Sequence, residues 1–246
     1  MKKFNATTIK VIAIIAMTID HIAFTFVPAD SLTYYIMRLV GRLTAPLMCF
    51  FLVEGFRHTH DKKKYLLRLI LFAAISQPVY YLFIFHSVPY DTLHCMRNMN
   101  IMFTLALAMI TLLIVTNEKL SMMSKALLTA ITISFAQFGD WSYIIPIWTL
   151  IFYFLSNEKK KMYIIYLIAT LIILPYQYLK FFDSFIDFTY NYGAALALIP
   201  IAFYNGQRNS SSSALKKKIS KWFFYFYYPL HMISIYLVYI TKGSSL

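Results

Sequence analysis

Asp20 and His21 interrupt one apolar run, and His231 interrupts another near the far end of the chain. An ionisable side chain in a membrane helix costs about 2.5–3.5 kcal/mol or more, and by default it marks a functional site. A neutral imidazole is the usual group for taking a proton from an attacking amine or hydroxyl near neutral pH. The depths of these residues agree. At about 1.5 Å of rise per residue, His21 lies roughly 16 Å above Lys10 and His231 roughly 15 Å beyond Lys221. Arg42, roughly 22 Å above Arg57 on the second apolar run, can reach down toward Asp20. Asp20 and His21 are sequence neighbours, so their side chains diverge around a helix and cannot form a dyad unaided. Pairing Asp20 with Arg42 or Arg38 neutralises the carboxylate and leaves His21 for chemistry. The plainer alternative is a structural ion pair beside two packing histidines.

Other polar residues carry weaker signals. Gln77-Pro78 lies mid-segment, where a proline frees backbone groups that a glutamine can satisfy. Glu54 and His58 are spaced i, i+4 at a helix end and read as an interfacial pair. Asn98, Asn100 and Asp140 read as helix caps. The basic run Arg57, Lys62, Lys63 and Lys64 is a topology signal that can also meet an anionic ligand or lipid headgroups. Cys49 and Cys95 fall at different depths, so no disulfide is expected, and no C-x-x-C or other metal spacing occurs.

The elements that must position these residues are helices in a bilayer. Of 246 residues, 60% are hydrophobic and 13% charged, against about 25% charged in ordinary soluble domains. Polar residues this sparse cannot cover a soluble fold. The net charge of +13 sits in lysine blocks between apolar runs, which points to cytoplasmic loops and away from nucleic acid. Nine apolar stretches can be marked, at 8–28, 35–56, 65–86, 99–116, 124–138, 141–156, 162–179, 191–204 and 220–241. The fifth and sixth are short and joined by Gly139-Asp140, as in a helical hairpin. With the N-terminus inside, nearly every Lys and Arg outside the apolar runs falls on the cytoplasmic side. Only Arg97, Lys180 and Lys242 fall outside. That asymmetry predicts an all-α, polytopic helix bundle of nine transmembrane helices, N inside and C outside, in the cell membrane. The first helix is expected to be retained, because Asp20 and His21 break what a signal peptide keeps apolar.

Tyr34, Tyr35, Tyr90, Trp141, Tyr143, Tyr190 and Tyr192 are expected in an outer aromatic belt, and Tyr65, Tyr163 and Trp222 in an inner one. Phe181, Phe182, Phe185, Ile186 and Phe188, spaced by Asp183, Ser184 and Asp187, read as a short interfacial helix. Ser210 to Ser213 read as a linker. There is no internal repeat, and residues 1–246 read as one integral-membrane domain.

Six stretches in register make the sequence resemble the TraX family of membrane proteins. They are IKVIAIIAMTIDHIAFTF around Asp20-His21; RLVGRLTAPLMCFFLVEGFRHTHDKKKYLLRL around Arg42 and Glu54; FAAISQP around Gln77; NMNIMFTLALAM from Asn98; GDWSYIIPIWTLIFYFL around Asp140; and IPIAFYNGQRN followed by KWFFYFYYPLHMISIYLVY around His231. The family is named for a conjugative pilin acetylase and is similar to a wider group of membrane acyltransferases. The resemblance implies acetyl transfer across the membrane, from cytosolic acetyl-CoA to an amine or hydroxyl acceptor outside. In those terms His21 is the expected general base, Asp20 its electrostatic partner and Arg42 the residue fixing Asp20. His231 is expected to polarise the thioester or shape the tunnel, and Arg57, Lys62, Lys63, Lys64 and Lys217 to meet the CoA phosphates. Attack by His21 itself, through an acyl-histidine, fits the same residues.

Two other readings use the same residues. A proton-coupled transporter would employ the buried Asp, His and Arg as a relay, although the odd segment count and missing repeat weigh against it. A non-catalytic subunit of a surface assembly would need them for folding alone.

Overall fold

The computed structural model describes residues 3–87, 92–178, 189–207 and 214–243, and the regular elements among them are helical. The stretch 181–188, the serine run 210–213, Tyr90 and the side chain of Lys217 lie outside the described residues. The chain divides into two compact units, Met1–Met48 with Thr170–Leu246, and Cys49–Ala169.

In the first unit, α1 (Ala6–Phe26) starts at Asn5, whose side chain accepts from the Thr8 N–H at 2.9 Å, satisfying an orphan donor of the first turn. Phe4 N–H donates to Phe203 O at 3.1 Å and Asn205 N–H to Phe4 O at 2.9 Å, which ties the entry of α1 to the later chain. α2 (Leu32–Gly41) is capped by Ser31. Arg42 and Leu43 turn the chain into α3 (Thr44–His58), and the Thr44 hydroxyl donates to Ala13 O at 3.1 Å. The expected segment at 35–56 is therefore one membrane-length helical stretch, Leu32–His58, broken at Arg42 and Leu43.

The stretch expected as the eighth segment is a 3-10 helix, Tyr190–Ala197, running into the short α10 (Leu198–Ala202). A Cβ on Gly193 would stand 2.0 Å from the Leu39 carbonyl oxygen, so this tightly wound segment presses its backbone onto α2. α11 (Ala214–Gly243) closes the unit, with α1 packed against both α2 and α11.

The second unit contains α4 (Lys62–Phe85), α5 (Thr92–Met96), α6 (Ile101–Val115), α7 (Met122–Phe135), a 3-10 turn Ala136–Phe138, α8 (Ile144–Phe154) and the start of α9 (Lys159–Tyr178). α6 is its centre, packed against α4, α7 and α8. The 3-10 turn leads through Gly139 to Trp141 and Ser142, at φ 60° and 50°, so left-handed backbone joins α7 to α8, and both helices pack on α6.

Trp141 is not a belt residue. It is buried against Trp148 at 5.6 Å, and Trp148 in turn packs on Tyr166 at 5.6 Å. Gln77 also departs from expectation. It does not serve the proline in its own helix but reaches across to Asn98 O at 2.8 Å and to the backbone N–H and side-chain amide of Asn100 at 3.0 and 2.7 Å.

Among the described residues, four helical segments are long and apolar enough to cross a membrane: Ala6–Phe26, Leu32–His58, Lys62–Phe85 and Trp222–Lys242. α4 turns Leu67, Ile70, Leu71 and Ile75 outward, and α9 does the same with Ile164, Ile165, Ile168, Leu171 and Ile172. Rows at this spacing suit lipid rather than water. Ile101–Val115 and Ile144–Phe154 are shorter, about 22 and 16 Å long, below the ~30 Å of a hydrocarbon core.

Candidate functional site

α1 presents Asp20 and His21 one residue apart, and the fold gives each a different partner. Asp20 is buried toward α2, where Arg42 Nη2 donates to both carboxylate oxygens at 2.6 and 2.7 Å and Arg38 Nη1 donates to Oδ2 at 2.7 Å. Both arginines that the spacing offered as alternatives are thus used together. Aromatic faces cover part of both guanidiniums. Tyr190 lies 5.1 Å from Arg38 and 5.4 Å from Arg42, and Phe24 and Tyr34 also face Arg38. Tyr190, expected at the outer belt, is instead buried in this cluster. Each such contact contributes about 0.5–2 kcal/mol, less than the several kcal/mol that burying an ion costs.

His21 turns the other way, to α11. Its Nδ1 lies 2.7 Å from His231 Nε2, with the two ring planes 5° apart. The residues expected at one depth, 210 positions apart, are hydrogen-bonded to each other. His231 Nδ1 lies 2.9 Å from the Tyr227 carbonyl, and the Tyr227 ring is near-parallel to that of His231 at 5.1 Å. Near these rings the Thr18 and Tyr227 hydroxyls meet at 2.7 Å, and Thr18 Oγ1 also donates to Ile14 O at 2.9 Å. A hydroxyl has one proton, so Tyr227 is the donor to Thr18. Tyr227 therefore fixes α11 on α1 through its hydroxyl and fixes His231 through its carbonyl and ring.

Of the basic residues expected at the cofactor phosphates, Arg57, Lys62, Lys63 and Lys64 belong to the second unit. Arg57 sits near the end of α3, and its Nη2 donates to Tyr153 O and Ser156 Oγ at 2.6 Å each, closing the C-terminal end of α8. Lys62 lies over the Phe56 ring at 4.1 Å, and Lys64 pairs with Asp61 at 3.2 Å. Lys63 and Lys64 are exposed on the first turn of α4. Glu54 and His58 lie 3.9 Å apart at the end of α3.

Sequence reasoning missed the residues that allow close approach. A Cβ on Gly41 would stand 2.2 Å from the Asp20 Cβ. A glycine within an apolar helix next to charged residues is the signal that could have found it, since small residues let membrane helices touch. Tyr227, one turn before His231, had only helical spacing to recommend it.

The model of the family described as TraX protein matches residues 5–239. A probable fimbrial assembly protein of Dichelobacter nodosus, FimC of serogroup H1, is 41% identical over 170 residues, 68% of this chain and 69% of that protein. An uncharacterized protein of Rickettsia prowazekii (strain Madrid E), RP591, is 44% identical over 69 residues, 28% of this chain and 24% of that protein. No solved structure matches.

Proposed function

The chain belongs to the TraX family, and from that premise we propose that it is a membrane-embedded acetyltransferase. It moves an acetyl group from cytosolic acetyl-CoA to an amine or hydroxyl acceptor on the outer face. The similarity to a probable fimbrial assembly protein favours a surface-protein acceptor, such as the N-terminal amine of a pilin. The observation that carries the reading is the His21–His231 hydrogen bond between two long apolar helices, beside the Asp20–Arg38–Arg42 cluster. The lysine asymmetry supports nine crossings with N inside and C outside.

In this reading His21 takes the proton of the attacking amine or hydroxyl as that atom bonds the thioester carbonyl carbon. The carbonyl becomes an oxyanion, and the guanidiniums of Arg38 and Arg42 stabilise it. As the C–S bond breaks, His21 returns the proton to the departing sulfur. The products are the acetylated acceptor and free CoA. Lys62, Lys63, Lys64 and Lys217 attract the CoA phosphates from the cytoplasmic side, while Arg57 is a weaker member of that set because it caps α8.

The test is transfer of labelled acetyl from acetyl-CoA in sealed, oriented vesicles, comparing the wild type with His21→Ala. Label is expected on an acceptor across the membrane from the cofactor, and is expected to be lost in the variant. Absence of transfer to a broad set of amines and alcohols, together with no CoA binding, would remove the reading.

A further inference from the structure

The two hydrogen bonds that run from His21 through His231 to the Tyr227 carbonyl fix the ring protons along that line. The Tyr227 carbonyl only accepts, so His231 Nδ1, 2.9 Å from it, carries a hydrogen. A neutral imidazole has one N–H, so His231 Nε2 is a lone pair. That lone pair lies 2.7 Å from His21 Nδ1, which must then be the donor. By the same count, the basic nitrogen of His21 is Nε2. A second proton on His231 would reverse the central bond, but it would place a full charge on a buried residue, 7% exposed, where an ion costs several kcal/mol.

We infer that His231 is a positioning residue: it holds His21 in the Nδ1–H tautomer and so makes Nε2 the atom that accepts the acceptor's proton or attacks the thioester. The chain of donors runs from His21 through His231 to the Tyr227 carbonyl. When Nε2 gains a proton, the Nδ1–H of His21 becomes a charge-assisted donor to His231 Nε2, and the bond shortens and strengthens. Nothing leaves the pair, and the proton on Nε2 departs with the leaving group. His231 thus does for His21 what a carboxylate or backbone carbonyl does for other catalytic imidazoles. It differs from the role of polarising the thioester, which would need its own Nε2–H.

The structural half of this assignment is independent of the reaction, and the kinetic half rests on the acetyltransferase reading. Protein carrying 15N-labelled histidine in lipid nanodiscs is compared with His231→Phe, which keeps a ring on Tyr227 but has no acceptor nitrogen, and with His231→Gln, whose amide oxygen can accept from Nδ1–H. The His21 signals are identified by their loss in His21→Gln. A pyrrole-type Nδ1 and pyridine-type Nε2 are expected in the wild type and in His231→Gln, and a mixture of tautomers in His231→Phe. An Nε2–H tautomer in the wild type overturns the inference. So does an unchanged tautomer in folded His231→Phe.

Acetyl transfer supplies the second readout. His231→Phe is expected to lower kcat by about 10²–10⁴-fold with little change in KM, the range lost when a catalytic histidine is held in the wrong tautomer. His231→Gln is expected to recover most of it. The expected tautomers without any acetyl transfer would uphold the positioning role and sink the acetyltransferase reading instead.

Discussion

Gly41 lies flush against Asp20: a Cβ on Gly41 would stand 2.2 Å from the Asp20 Cβ and 2.3 Å from its Oδ1. This gap, the width of one missing methyl group, brings α2 close enough for Arg38 and Arg42 to reach one carboxylate. Gly41→Ala should therefore push α1 and α2 apart and cost about 1–3 kcal/mol of stability. Gly193→Ala should cost more, because its Cβ would meet the Leu39 backbone oxygen at 2.0 Å and a backbone cannot swing aside. Thermal unfolding of both variants in detergent checks the order. Equal midpoints for wild type and Gly41→Ala would mean that the close approach is unimportant.

The charge count around Asp20 separates two neutralising substitutions. Asp20→Asn leaves two guanidiniums facing an amide, and should cost about 3–5 kcal/mol, as for a broken buried pair. Arg38→Gln leaves Asp20 paired with Arg42, and should cost distinctly less. Activity should fall in both, since the arginine cluster beside His21 loses a guanidinium in the second and its anchor in the first. Denaturant unfolding that places Arg38→Gln at or below Asp20→Asn in stability would contradict this account.

Gln77 and Asn100 form the polar clamp of the second unit. Asn100 Nδ2 donates to Ala73 O at 2.7 Å and to Gln77 Oε1 at 2.7 Å, and Asn100 also caps α6 through the Met102 N–H at 3.0 Å. Gln77→Leu strands the Asn98 carbonyl and the Asn100 N–H, at about 1–3 kcal/mol for each buried group left unmet. The double variant Gln77→Leu/Asn100→Leu should be less destabilised than the sum of the single variants, because each single change already breaks their shared bond. Strict additivity in thermal unfolding would show that the two act separately.

Asp61 gives a pH dependence outside the spans. Its carboxylate accepts from the Lys64 N–H at 2.8 Å. That backbone bond first, with help from the Lys64 side chain, holds the carboxyl below the usual carboxylate range. A folded-state pKa that is depressed contributes stability above the unfolded value and loses it as pH falls through the folded one. Asp61→Ala should therefore melt below the wild type at pH 7, and the difference should fade below about pH 4. A difference that persists unchanged into acid would assign the effect to something other than the ionised cap.

The sequence by itself determined the class of molecule, because composition and the spacing of apolar runs reflect a solvent, and a bilayer imposes its demands on every residue in turn. It also marked Asp20, His21, Arg42 and His231, since charge and imidazole in apolar helices stand out one residue at a time, and rise per residue set their depths. What it left open was decided by tertiary structure. Helical spacing gives depth but not rotation, so it did not reveal that Asp20 faces α2 while His21 faces α11, or that both arginines share one carboxylate. The break at Arg42, the 3-10 winding at Tyr190 and the reach of Gln77 to Asn100 depend on neighbours far away in the chain. So does the proton order from His21 to Tyr227, which exists only where two helices touch.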